Sequence, residues 1–283
     1  MQPSPEILSL GAGVQSSTLA LRAAYGYVTP RLFAAIFADT QAEPQAVYDW
    51  LDYLETEVAK APLPFPIYRV TKGNLTEQAL RVHHVQSDGC KLPKGTPYMN
   101  KLLPIFGMDA TGKRTAALGR KCTFDYKIRP VLKKVRELVK PKRGQITPAV
   151  VQWIGISVDE ASRMKDPREP WIQHRWPLIE DKMTRADCLA WMKAQGFRIP
   201  PRSACYYCPF HSDEEWLRIK ADPETWAKAV AFDRELRQKF REEDKSLEME
   251  VFLHSSCKPL SDVQFDGEGD RSWINECEGM CGV

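Results

Sequence analysis

The feature that most constrains the fold lies near the start of the chain, where an apolar segment leads through glycines into a helical pattern. Ile7 to Leu10 have the length and apolarity of a buried strand, Gly11, Ala12 and Gly13 form a small-residue turn, and Ser16 and Ser17 begin the helical pattern. Glycine lets the backbone approach a bound anion closely, and a helix N-terminus attracts negative charge. The segment therefore predicts a strand–turn–helix unit that binds a phosphate or sulfate group.

Several loop types share this pattern. A Walker-type loop is excluded because no lysine precedes the serines. A dinucleotide-binding loop would have Ser16 in place of its third glycine and Asp39, which ends the second apolar segment, as its ribose-binding acid. An ordinary helix start capped by Ser16 or Ser17, with no ligand, is a further alternative.

The rest of the pattern alternates strands with helices. Predicted strands cover Leu32–Ala38, Ile67–Val70, Val150–Ile156 and Trp176–Ile179. Predicted helices begin near Glu43-Pro44, at about Pro130 and after Thr184, which would cap its helix with Asp187 at the third position. Residues 87–120 are predicted to form a long loop. This order predicts a doubly wound, mostly parallel α/β domain in residues 1–180, followed by a smaller helical, cysteine-bearing region in residues 181–283.

Polar residues follow several of these strands. The Gly11 turn and Asp39 with Thr40 come directly after predicted strands. Gly155 lies at the end of the predicted strand Val150–Ile156, and Asp159, Glu160 and Arg163 follow that strand. Because the carboxyl ends of parallel strands meet at one edge of a sheet, we expect these groups to form a single ligand-binding edge.

Charge and composition narrow the class of protein. The net charge of +3 does not by itself indicate a nucleic-acid-binding protein, but basic residues are concentrated between Lys113 and Arg143. That segment is either a solvated surface or a surface for a nucleotide or nucleic acid. There is no apolar segment of membrane-spanning length and no signal-peptide pattern at the N-terminus, so we expect a cytoplasmic protein without membrane contact.

Eight cysteines in a reducing compartment favour metal, cluster or catalytic thiols over disulfides. Cys205 and Cys208 have the spacing of a two-point chelate, and Cys122, Cys277 and Cys281 supply further thiols. Four thiolates would hold a [4Fe–4S] cluster or a structural zinc ion, whereas isolated cysteines would pack as small apolar side chains. We expect Cys188 to be structural and Cys90 and Cys257 to be unliganded.

Taken together, the loop and the cysteines resemble the phosphoadenosine phosphosulfate (PAPS) reductase-like proteins of the adenine-nucleotide alpha-hydrolase (PP-loop) superfamily, of the kind found in phages and prophages. The chain is also similar to the sulfurtransferase of DNA phosphorothioation systems. The matching segments are Gly11–Ser17, Asp39-Thr40, Arg120-x-Cys122-Thr123 with Lys127-Ile128-x-Pro130, Gly155-Ile156 with Asp159-Glu160 and Arg163, and Ser203-Ala-Cys205-x-x-Cys208-Pro209.

The resemblance implies a Rossmann-like PP-loop domain that binds ATP, PAPS or adenosine phosphosulfate (APS). The implied nucleotide-binding residues are Ser9, Gly11, Ala12, Gly13, Gln15, Ser16, Ser17, Asp39, Thr40, Gly155 and Glu160. The implied cluster ligands are Cys122, Cys205, Cys208 and Cys277, and the implied catalytic groups are Cys281, Lys127 and Arg163. The roles of Cys277 and Cys281 can be exchanged, because either fits the thiol-bearing tail of sulfonucleotide reductases.

Two activities are implied: sulfonucleotide reduction with a thioredoxin-like reductant, or nucleotide-activated sulfur transfer to DNA or tRNA with a cysteine desulfurase as sulfur source. Gln15 stands where ATP-hydrolysing members have Asp; sulfonucleotide reductases also lack this acid, so ATP hydrolysis is left open. The alternative hypothesis is a non-catalytic, zinc-stabilised nucleic-acid-binding or interaction protein on the same fold, suggested by Gln15 and the basic segment.

Overall fold

The structure is a computed structural model and describes residues 4–87 and 92–266. The described residues form ten strands: β1 (Glu6–Leu10), β2 (Ala34–Asp39), β3 (Ile67–Thr71), β4 (Val82–His84), β5 (Pro97–Met99), β6 (Ile105–Met108), β7 (Arg114–Leu118), β8 (Val150–Ile154), β9 (Ile172–Arg175) and β10 (Glu250–Phe252). They also form eight α-helices: α1 (Val14–Ala24), α2 (Gln45–Lys60), α3 (Leu75–Ala79), α4 (Arg129–Val139), α5 (Pro177–Glu180), α6 (Arg185–Ala194), α7 (Asp213–Ala221) and α8 (Pro223–Glu243). A π-helical segment, Thr123–Ile128, leads into α4, and 3-10 turns occupy Val158–Arg163 and Leu260–Asp262.

The described chain forms two compact units that alternate along the sequence. The first contains residues 4–72 and 123–204, and the second contains residues 73–87, 92–122 and 205–266. Each unit is therefore made of two segments that are separated along the chain, since residues 73–87 and 92–122 belong to one segment.

The first unit is built on a five-stranded sheet in the order β3-β2-β1-β8-β9. Every neighbouring pair is parallel. The chain adds β2 and β3 on one side of β1 and later adds β8 and β9 on the other side. The direction of strand addition thus reverses between β1 and β8, which is the position where open α/β sheets bind ligands beyond the carboxyl ends of their strands.

Helices cover both faces of this sheet. Alternation along β1 sends Leu8 to the face covered by α1, α2 and α6, and Ile7 to the face covered by α4. Both side chains have no exposed surface. A parallel sheet with helices on both faces is an α/β fold of Rossmann-like architecture, as the sequence predicts.

The helix α4 has an apolar side and a basic side. Val131 and Val135 are buried against the sheet. The opposite side carries exposed cations spaced four, three and four residues apart, which we call the basic stripe: Arg129, Lys133, Arg136 and Lys140. This spacing aligns them along one line of the helix surface.

The second unit combines a three-stranded antiparallel sheet, β10-β6-β7, with the hairpin β4-β5 and the helices α3, α7 and α8. Phe106 in β6 pairs with Phe252 in β10. Tyr207 stacks on Phe232 of α8, with ring centroids 4.0 Å apart, and is fully buried.

Two secondary-structure predictions are wrong. Trp176–Ile179 is not a strand, because Pro177 begins α5 and the fifth strand of the sheet is Ile172–Arg175. Proline has no N–H for a strand ladder and favours the first turn of a helix. Residues 87–120 are not one loop, since their described part contains β5, β6 and β7. No helix in the described ranges is both long and apolar enough to cross a membrane.

Candidate functional site

The candidate site lies where β1 and β8 end at the reversal of strand order. Gly11 to Gly13 follow β1, and Gly155 to Ser157 follow β8. Gly155 and Ser157 are buried, whereas Ser9 and Gly11 are half-buried. The loops predicted to form one edge of the sheet therefore follow adjacent strands at the same end of the sheet.

The turn after β1 leaves the N-terminus of α1 electropositive. Ala12 has a φ of 60°, in the left-handed region, which turns the chain sharply before Gly13. Ser16 Oγ accepts the N–H of Gly11 at 3.1 Å and thereby holds the turn closed. Among the described residues, no side chain caps α1 and no acid stands in its first turn. Its amides and dipole favour an anion.

A polar network joins α1 to the loop after β8. Gln15 donates from Nε2 to Glu160 Oε2 at 3.0 Å and lies 3.4 Å from Ser157 Oγ. Glu160 also forms an ion pair with Arg163. Gln15 has no exposed surface, and within the described residues its Oε1 has no hydrogen-bond partner. The network fixes a carboxylate and a guanidinium next to the first turn of α1.

Asp39, at the end of β2, is half-buried and already organised by its neighbours. One of its oxygens accepts the N–H of Gln41 at 2.7 Å and the hydroxyl of Tyr48 at 2.9 Å. Burial, followed by the Asp39 carboxylate, raises the pKa of Tyr48, so this hydroxyl stays protonated and keeps donating. Thr40, the next residue, is fully buried.

Lys127 forms a buried ion pair that the sequence did not reveal. Its Nζ lies 3.5 Å from Glu43 Oε1, and Glu43 Oε2 accepts the hydroxyl of Ser203 at 3.4 Å. The Glu43 side chain has no exposed surface. Glu43 was interpreted only as part of a helix start, because no local pattern reports an ion-pair partner more than eighty residues away.

Ser17 has a role in packing that its sequence position also hides. Its Oγ accepts the indole N–H of Trp50 at 3.0 Å, and both residues are buried. This bond ties α1 to α2. The hydroxyls of Ser16 and Ser17 are thus both used within the fold.

Three of the predicted thiols, Cys122, Cys205 and Cys208, belong to the second unit. Cys205 and Cys208 stand on one turn, closed by the N–H of Cys208 donating to the Cys205 carbonyl at 2.9 Å. Burial raises the pKa of Tyr207, and electrostatic interactions with Cys205 and Cys122 raise it further.

The donor set for a metal is incomplete in the part of the chain that the structure describes. No group of three or more His, Cys, Asp or Glu side chains there is arranged to hold a metal ion. Cys90, Cys277 and Cys281 lie outside the described residues. Cys188 packs in the apolar core, as predicted, and Cys257 is buried beside the Gly107 carbonyl, where burial raises the pKa of its thiol.

No family model matches this chain, and neither does any curated protein.

Proposed function

We propose that the chain binds an adenine nucleotide in the crevice between the β1 and β8 loops and uses it in sulfur chemistry. The observation that carries this proposal is the position of the glycine turn: it lies at the reversal of strand order and precedes a helix that no described side chain caps. The resemblance to PAPS reductase-like PP-loop proteins supplies the adenine nucleotide as the ligand class.

In this proposal the amides of Gly13 and of the first turn of α1 bind the phosphate or sulfate group. Arg163 adds a positive charge, held in place through Glu160 and Gln15. Asp39 faces the ribose or adenine. Ser16 and Ser17 act as positioning residues, because their hydroxyls hold the turn and α2. The charge of Lys127 is shared with Glu43, which limits its effect on the nucleotide.

The sulfur chemistry would need a thiolate, proposed as Cys281 or Cys277. With a sulfonucleotide, the thiolate attacks the sulfur, an S–S bond forms, the S–O bond to the phosphate breaks, and the nucleotide leaves with the electron pair. A dithiol reductant of thioredoxin type then releases sulfite, regenerates the thiol and becomes a disulfide. With ATP, the nucleotide would instead activate a nucleic acid for sulfur transfer.

Nucleotide binding is the direct test. Calorimetric titration with ATP and with APS should show saturable binding to the wild-type chain. Arg163→Met keeps the apolar stem but removes the charge, so we expect at least a tenfold loss of affinity, about 1.4 kcal/mol. Arg234→Met, an equal change on the exposed side of α8, should have no effect. If the wild-type chain binds neither ATP nor APS, the proposal is refuted.

Metal content tests the proposed cysteine site and separates the two hypotheses. Cys122, Cys205 and Cys208, with one tail cysteine, would hold a [4Fe–4S] cluster or zinc, and a cluster would supply a polarising or structural centre. Protein purified without oxygen should contain iron and sulfide, and the Cys205→Ser variant should lose most of the iron.

A protein that contains one zinc ion and binds no nucleotide would favour the alternative, a non-catalytic nucleic-acid-binding or interaction protein. Retention of full metal content by Cys205→Ser would contradict the assigned ligands.

A further inference from the structure

A recess of about 110 Å³ opens on the sheet face covered by α4, opposite the face that packs on α1. Its apolar lining consists of Phe124, Ile128, Leu132 and Ile172. An apolar cavity on the order of 150 Å³ can hold benzene. At about three-quarters of that volume, the recess has the lining to hold most of one six-membered ring, with the rest of the ring at its open mouth.

The side chain of His174 gives the recess a hydrogen-bond acceptor. Its Nδ1 lies 2.8 Å from the Lys165 carbonyl, and a carbonyl can only accept, so Nδ1 carries the hydrogen. Burial lowers the pKa of His174, which keeps the ring neutral near pH 7. The Nε2 lone pair is then available; within the described residues this buried nitrogen has no partner. A ligand in the recess would satisfy it with an N–H or O–H group.

The next strand adds unpaired polar atoms on the same face. Gln152 in β8 is the register partner of His174 in β9, so their side chains point to one side of the sheet. Gln152 has no exposed surface, and in the described chain neither its Oε1 nor its Nε2 has a hydrogen-bond partner. Buried polar atoms that have no hydrogen-bond partner destabilise a fold. Gln152 does not line the recess itself, but its unpaired atoms make the interior of this sheet face polar next to His174.

Cations surround the mouth of the recess. Lys165 and Arg168 line it and are exposed, and Arg129 lies over the Phe124 ring at 4.8 Å. Among the described residues, two acids also line the recess, Asp166 and Glu169. Glu169 accepts hydrogen bonds from Arg136 and from the indole N–H of Trp171, so its charge is offset and, of these two, Asp166 is the acid that opposes the cations at the mouth. The mouth therefore favours an anionic substituent on the bound ring.

We propose that this recess is a nucleotide-binding site separate from the crevice between the β1 and β8 loops. It accepts a pyrimidine-sized base, whose amino or imino group donates to His174 Nε2, and directs the phosphate toward Lys165 and Arg168. This proposal does not rest on the function proposed above, because it uses none of the residues of that crevice.

Such a nucleotide can be free or part of a single-stranded nucleic acid. The basic stripe of α4 favours the second source. Residues 129–143 contain seven basic side chains and one acidic one, a net charge of +6 in a chain whose total is +3. From Arg129 to Lys140 the stripe extends about 16 Å at 1.5 Å per residue, which is long enough to contact several phosphates.

The test uses the full-length protein and two pyrimidine probes, chosen to avoid an adenine site. Cytidine 5′-monophosphate is titrated by calorimetry, and a labelled twelve-residue oligodeoxycytidylate by fluorescence anisotropy at several salt concentrations. We expect both to bind, the oligonucleotide more tightly. Excess ATP should displace neither probe. Full displacement of both probes by ATP would assign the binding to the crevice between the β1 and β8 loops and overturn the proposal.

Variants locate the base and the phosphate. His174→Phe keeps an aromatic ring but removes the acceptor, and Lys165→Met removes a rim charge; each should weaken both probes at least tenfold. The matched controls His84→Phe and Lys193→Met change exposed residues elsewhere and should bind as the wild type does. Wild-type affinity for both probes in His174→Phe and in Lys165→Met would overturn the proposal. If one variant folds poorly, wild-type affinity in the other is enough to do so.

A third variant identifies the source of the nucleotide. Lys133→Gln with Lys140→Asn removes two charges of the basic stripe; Asn suits position 140 because its φ of 46° is left-handed. The variant should bind the oligonucleotide at least tenfold more weakly and lower the salt slope by about 1.4, while binding the mononucleotide normally. Lys193→Gln with Arg234→Gln is the control. If the wild type binds the mononucleotide and the oligonucleotide equally tightly, the site is a nucleotide-binding site whose ligand is a free nucleotide.

Discussion

Glu6 begins β1 as a buried carboxyl group beside an aromatic ring. It accepts the indole N–H of Trp153, and Arg175 lies near enough to act on its charge. Desolvation outweighs both influences and raises the pKa of Glu6 above its ordinary value of 4.5. Ionisation of this residue at neutral pH therefore opposes folding, although the hydrogen bond to Trp153 favours the native packing.

Glu6→Gln should raise the free energy of unfolding relative to the wild type by more at pH 7 than at pH 4. An amide oxygen still accepts from Trp153 but cannot ionise. As the pH rises, the unfolded wild type loses its proton first, so the stability contributed by the carboxyl is complete below its unfolded pKa and is lost as the pH passes through the folded pKa. Urea unfolding at both pH values measures the difference.

The control for this measurement is Glu137→Gln on the exposed side of α4, which should show no comparable pH effect. A difference between Glu6→Gln and the wild type that stays constant, or shrinks, from pH 4 to pH 7 would contradict the assigned pKa shift.

The residue scale also shows what the sequence could and could not predict about the candidate site. Gly11 was predicted from a local turn pattern and Glu160 from its position after a strand, both of which sequence records directly, whereas Gln15 was implied by the family resemblance. The hydrogen bond from Gln15 to Glu160 was not predicted, because it joins residues 145 positions apart. An aspartate at position 15 would bring a second carboxylate close to Glu160, which gives a physical reason for the amide.

Among the helices, α6 shows how closely a local rule can determine an element. Thr184 Oγ1 accepts the N–H of Asp187 at 3.2 Å, and an Asp187 oxygen accepts the N–H of Thr184 at 2.9 Å. This is the reciprocal cap that the sequence predicted. The pKa of Asp187 is lowered, first by the hydrogen bond from the Thr184 hydroxyl. The cap therefore depends on the ionised carboxylate.

Thr184→Ala should lower the free energy of unfolding by about 1 kcal/mol, because it leaves a helix N–H without a side-chain acceptor. Thr184→Ser keeps the hydroxyl and should lose only a small fraction of that stability. Chemical unfolding at pH 7 measures both variants. The loss in Thr184→Ala should shrink as the pH falls through the lowered pKa of Asp187, and equal losses in the two variants would show that the hydroxyl is not the cause.

Elements governed by distant pairing were harder to predict. The strands β1, β2 and β8 lie inside the sheet and are apolar, and the edge strand β3 follows a proline-rich segment, so local patterns located all four to within a few residues. By contrast, β6 is four residues long and pairs with β7 and with the distant β10. Its sequence has little periodicity, and its stability comes from those partners. Short strands of this kind read as loop until the fold is known.

At the scale of the whole molecule, the two units interleave along the chain. Composition along the sequence predicts consecutive regions, residues 1–180 and 181–283, whereas contacts group the described residues into two units of two segments each. A linear pattern carries no information about which separated segments pack together. The parallel sheet could be predicted because its strands are individually recognisable, but the grouping could not.

A matched pair of core truncations tests whether the units unfold separately. Phe37 in the first unit and Phe252 in the second are each 2% exposed. Each change to Ala should cost about 3–5 kcal/mol. In hydrogen-exchange mass spectrometry, Phe252→Ala should expose β6, β10 and α8 while β1 and β2 stay protected, and Phe37→Ala should do the reverse. Loss of protection in both units with either variant would show that they unfold as one.

The pairing of Phe106 with Phe252 also sets the order of events on the ribosome. The strand that contains Phe106 leaves the exit tunnel about 145 residues before the strand that contains Phe252, a delay of roughly 7–30 s at synthesis rates of about 5–20 residues per second. During that interval β6 has one open edge, which a chaperone or a neighbouring nascent chain can pair with. Slow translation of the segment after residue 205 would therefore lengthen the period in which this protein is most prone to aggregate.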